Sequence, residues 1–142
     1  MDKGIADKDS NFNNWEGEAF EKLIFDYLDS GYLENIITFF EHEPKYLHLI
    51  PKMLSEEKLR LKVGAFAIIE EFKRKNNEFL KTIVPTLVNL LRSSDRNIRG
   101  DAVYALEIIA DPESKQALVE ALEREKDPQV RELIEEALRS MK

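Results

Sequence analysis

The stretch "DRNIRGDAVYAL" at 95–106 returns 32 positions later as "DPQVRELIEEAL" at 127–138. Asp95, Ile98, Arg99, Ala105 and Leu106 recur as Asp127, Val130, Arg131, Ala137 and Leu138. A period of this length is that of one helix pair. Such a pair cannot bury its own wide apolar stripe, so it stacks on similar pairs. The parts of the unit have physical roles. Asp at the start accepts hydrogen bonds from otherwise orphaned N–H groups. The aliphatic residue three positions on packs inward, and Ala102, Ala105 and Ala137 let a neighbouring helix come close.

A fainter copy lies 37 residues upstream, where "LKVGAFAIIEEF" matches "IRGDAVYALEII" through Leu61, Ala65, Ile69 and Glu70. The second helix of each pair repeats as well: "LIPKML" resembles "IVPTLVNLL", with Pro51 and Pro85 34 apart. A proline inside a helical pattern removes a hydrogen bond and bends the helix. The bend is therefore expected to belong to the repeat.

Apolar spacing predicts about eight helices. Phe20, Leu23, Ile24, Tyr27 and Leu28 share one face of the first. The second runs over about Tyr32–His42, and a short third follows Pro44. Ser55 is expected to cap a fourth that reaches about Lys73, and a fifth covers about Asn77–Arg92. Asp95, Asp111 and Asp127 are expected to cap the last three, with Pro112 and Pro128 in their first turns. No segment alternates as a strand does. The fold class is all-α, an α-solenoid of stacked antiparallel helix pairs. Residues 1–14 read as a flexible arm and 15–142 as one domain. That domain divides into an N-terminal cap with a degenerate repeat (15–54), repeats at 55–94 and 95–126, and a half repeat at 127–142.

Composition narrows the chemistry. With no cysteine, disulfides, thiolate metal sites and cysteine nucleophiles are excluded. No apolar run approaches the roughly 20 residues of a membrane span, and the polar N-terminus has no signal-peptide core, so the cytoplasm is the expected compartment and no membrane partner is expected. The net charge of −7 is unevenly spread: residues 1–60 carry −6, 61–100 carry +4 and 101–142 carry −5.

The stretch 95–141 resembles HEAT-like repeats of the short class, similar to those of phycobiliprotein lyases. The resemblance extends more faintly over 55–94. It implies a right-handed solenoid with first helices outside and second helices lining a concave surface. Deoxyhypusine hydroxylases of this type bind two irons through several His-Glu pairs. Here only His42-Glu43 has that form, and ligands must converge from more than one helix, so no metal is expected. Glu70-Glu71 and Glu135-Glu136 point about 100° apart on their helices and cannot act as a catalytic carboxylate pair. No nucleophile elbow or phosphate loop is present, so neither a cofactor nor an enzymatic activity is expected.

The expected role is a non-catalytic binding module or scaffold that recognises a protein or peptide on the concave face. Aligning the second helices through Pro51 and Pro85 sets His48 and Lys52 opposite Thr82 and Thr86. It extends to Asn89, Glu120 and Glu123 as partner-binding residues. Thr82, Thr86, Asn89 and Ser93 follow i, i+4, i+7, i+11 spacing on one face. The alternative is a nucleic-acid binder that uses the basic segment 62–99, with Lys73, Arg74, Lys75, Arg92 and Arg96 as its patch. Arg99 and Arg131 are read as braces between repeats. The early aromatics, from Trp15 through Phe20, Phe39 and Tyr46, are read as a cap on the end of the stack.

Overall fold

The computed structural model describes residues 17–141. Helix α1 covers 17–29, and Gly31, with φ of +95°, turns the chain into α2 (Leu33–His42). The path continues through α3 (Ile50–Leu54), α4 (Leu59–Arg74), α5 (Val84–Leu90), α6 (Arg96–Ile109), α7 (Ser114–Arg124) and α8 (Pro128–Ser140). No strand occurs among the described residues. The arm at 1–14 and Trp15 lie outside them.

The helices stack in two layers. In one, α2 packs on α4, α4 on α6 and α6 on α8; in the other, α3 packs on α5 and α5 on α7. Sequential pairs α3–α4, α5–α6 and α7–α8 join the layers. Between them lie Phe40, Leu54, Ile68, Phe72, Leu87, Leu106 and Leu118, all fully buried. The alanines of the repeat act as expected: Ala65, Ala102, Ala105 and Ala137 are wholly buried at helix contacts. Ile98, by contrast, is only half-buried, whereas its counterpart Val130 is buried.

Both repeated prolines occupy the same structural place. Each short α-helix is preceded by a six-residue 3-10 segment, Pro44–Leu49 before α3 and Glu78–Ile83 before α5. Pro51 and Pro85 are the second residues of α3 and α5. A first-turn N–H has no partner within its own helix, so proline costs little there. The expected bend is thus a change of helix type at the preceding residue. Two expected caps also differ. Ser55 does not start α4; its hydroxyl donates to the Pro51 carbonyl at 3.0 Å and closes α3, while Lys58 precedes α4 without a side-chain cap. Asp111 heads a turn, accepting from Glu113 N–H at 2.9 Å, and α7 begins three residues later. Asp95 and Asp127 do cap α6 and α8, accepting from Asn97 N–H and from Gln129 and Val130 N–H.

At the N-terminal end, the rings of Phe20, Phe39 and Tyr46 form a mutual cluster with centroids 5.2–5.6 Å apart. Tyr27 and Tyr32 pair with each other but stay exposed.

Candidate functional site

The 3-10 segments shape a groove in the second layer. In a 3-10 helix residues i and i+3 eclipse one another. Lys45 therefore stands over His48, and Phe79 over Thr82. Each pair is locked internally: His48 Nδ1 bonds the Lys45 carbonyl, and the Thr82 hydroxyl donates to the Phe79 carbonyl at 2.6 Å. Between these ridges lies a groove of about 420 Å³ lined by Pro44, Lys45, His48, Phe79, Thr82, Ile83 and Thr86. Ile83 is buried at its floor, whereas Phe79 keeps 46% of its surface exposed. No carboxylate lines the groove, and the Lys45 ammonium lies 5.3 Å from the Tyr46 ring centroid.

Of the partner-binding residues read from the sequence, His48, Thr82 and Thr86 meet in this groove. Lys52 sits on the same layer, ion-paired to Glu21 at 3.0 Å. Asn89, Glu120 and Glu123 are exposed on α5 and α7 but do not line it. Ser93 turns away from the shared face: it is half-buried, and its hydroxyl oxygen accepts from Asp95 N–H at 3.1 Å. The i, i+4, i+7, i+11 spacing assumes one continuous α-helix, whereas α5 ends at Leu90 and leaves Ser93 in the loop that follows. Pro44, Lys45, Phe79 and Ile83 escaped the sequence reading. The 34-residue offset of the two prolines also sets Lys45 opposite Phe79, so that signal was present.

The basic segment does not form one patch. Lys73 donates to the carbonyl of Ile109, the last residue of α6, at 2.7 Å, whereas Arg96 is its first residue. The 14 residues of α6 put about 20 Å between these ends. Most of the cations are also engaged. Arg74 bonds Glu71 and holds that carboxyl below its ordinary range. Lys75 pairs with Glu41 at 2.6 Å, Lys62 with Asp101 at 2.9 Å and Arg96 with Asp127 at 3.0 Å. Arg92 has no ion pair among the described residues.

The repeated arginines tie the stack together across its loops. Arg99 grips Glu125 through two bonds of 2.7 and 2.9 Å and donates to the Ser93 carbonyl at 2.9 Å. Hydrogen bonding from Arg99, assisted by the Asp127 N–H and the guanidinium charge, holds the buried Glu125 carboxyl below its ordinary range despite desolvation. Arg131 donates to the carbonyls of Leu122 and Glu125 at 2.7 and 2.9 Å, closing the C-terminal end of α7.

His42, the only histidine followed by glutamate, bonds the Thr38 carbonyl of its own helix at 2.9 Å. The described residues contain no cluster of three metal-ligating side chains, and none of their helices is long and apolar enough to cross a membrane. The family model for HEAT repeats matches residues 48–139. No curated protein and no solved structure matches the chain.

Proposed function

The chain belongs to the HEAT repeat family, and from that premise we propose that it is a non-catalytic binding module for a protein or peptide. Members of this architecture use the extended surface created by stacked repeats for binding. The surface we assign is the layer of second helices, as the concave side of a short-repeat solenoid with units at 55–94 and 95–126. The observation that carries this reading is the groove between the two 3-10 segments. It combines a buried aliphatic floor, an exposed aromatic wall and hydroxyl groups at the rim. Binding sites are concave and mainly apolar, with a few polar groups that fix orientation. His48, Thr82 and Thr86 supply those groups, and Lys52, Asn89, Glu120 and Glu123 extend the contact across the layer. Cytoplasmic residence belongs to the same reading.

The test is affinity capture from the source organism with mass spectrometry, with and without nuclease, using wild type and Thr86→Arg/Asn89→Arg. Both side chains are exposed, so the variant folds as wild type does. The expected result is a nuclease-resistant partner captured by wild type and lost in the variant. Capture that survives the variant but disappears on charge reversal at Lys73–Lys75 refutes the assignment. Capture that disappears with nuclease does so too, since phosphate contacts would then carry the binding.

A further inference from the structure

The segment 61–100 is basic in sequence, and the fold brings two of its arginines, Arg92 and Arg99, together with Arg124 and Lys126 from beyond it. At the edge where the α5–α6 and α7–α8 loops meet, Leu91, Arg92, Arg99, Arg124, Glu125 and Lys126 surround a depression of about 340 Å³. Four cations against one carboxylate leave this lining at +3, on a chain whose net charge is −7. Arg92 and Arg124 are 32 residues apart, the period of the repeat, so successive units deliver an arginine to the same edge.

The single carboxylate is already satisfied. Both Glu125 oxygens accept from Arg99, and one also accepts from Asp127 N–H at 3.0 Å. The acidic groups behind Arg99 are committed as well, Asp95 to the start of α6 and Asp127 to the start of α8 and to Arg96. Arg92, Arg124 and Lys126 are exposed, and none of the three has an ion pair or side-chain hydrogen bond among the described residues. Three exposed cations without a counter-charge around one depression make it attractive to an anion. Guanidinium groups match phosphate oxygens in bidentate geometry, and lysine adds a point charge.

We propose that this depression binds a phosphate group bearing two negative charges, a phosphomonoester or a pyrophosphate. A nucleic-acid backbone fits less well. Its charges run in a line and need a stripe of cations, whereas these converge on one small depression. The Lys73–Lys75 cluster sits at the opposite end of α6 and cannot extend it. The site is distinct from the groove at His48 and Phe79 and does not depend on it.

The test is titration of isotope-labelled wild type with sodium pyrophosphate, with a short phosphoserine peptide and with its unphosphorylated form, at constant ionic strength. Amide shifts report the site. The expected result is saturable shifts at 91–93 and 124–126 with pyrophosphate, with the phosphoserine peptide, or with both. Response to the peptide identifies a phosphorylated protein as the source, and response to pyrophosphate alone identifies a free small phosphate. The unphosphorylated peptide leaves these amides unmoved. Arg92→Gln and Arg124→Gln/Lys126→Gln, which break no bond of the fold, each weaken binding about tenfold or more. Failure of both phosphates to saturate, equal affinity in the variants, or tighter binding of a single-stranded oligonucleotide through the same amides overturns the proposal.

Discussion

Arg99→Ala tests whether the repeated arginine is structural. The guanidinium makes three hydrogen bonds, two to Glu125 and one to the Ser93 carbonyl, and its side chain retains 19% exposure against 6% for Glu125. Removing one partner of a buried pair costs about 3–5 kcal/mol because the other charge is left unpaired. Water can reach part of this pair, and Glu125 keeps its bond from Asp127 N–H, so the expected loss is about 2–3 kcal/mol. For a chain of this size, at about 4 °C per kcal/mol, the midpoint falls by about 8–12 °C. Thermal and urea unfolding followed by circular dichroism measure it. The loss also depends on pH. The folded state holds the Glu125 carboxyl below its ordinary range, so the stabilisation is complete above the unfolded value of about 4.3. It is lost as pH falls through the lower folded value. The gap between wild type and Arg99→Ala should therefore be widest near neutrality and close in acid. A midpoint drop below about 2 °C at neutral pH, or a gap that widens in acid, would refute the brace.

Arg131→Ala removes two bonds to the carbonyls that end α7, and should cost about 1.5–3 kcal/mol in urea unfolding. An unchanged midpoint together with lost partner capture would move Arg131 from brace to contact. Gly100→Ala should raise stability by about 0.5 kcal/mol, since alanine favours a helix interior over glycine. Its new methyl would stand 3.3 Å from the end of the Leu133 side chain, which is exposed and free to swing aside. A lower urea midpoint would show that Leu133 is held in place.

The sequence by itself determined the helices, their order and the repeat. These follow from local rules: apolar periodicity, aspartate at helix starts and alanine at close contacts. Asp95, Asp127, Ala102 and Leu106 could be read in isolation because each role is set within one helical turn or by burial alone. Where two local solutions compete, sequence spacing was not enough. Ser55 has an acceptor at Pro51 as well as a helix ahead of it, and it donates to the former, while α4 starts only at Leu59. The 3-10 segments carry the same apolar spacing as an α-helix, and the end of α5 at Leu90, which that spacing does not show, leaves Ser93 in the following loop. Tertiary structure alone decided which charges meet. Lys73–Lys75 and Arg92–Arg96 are neighbours along the chain but lie at opposite ends of α6, because that chain segment crosses the stack between them. Arg92 is more than 30 residues from Arg124 and Lys126, yet the three converge, because equivalent loops of a repeat protein lie side by side at one edge. Charge acts through space over distances shorter than a helix, and only the stacked fold sets those distances.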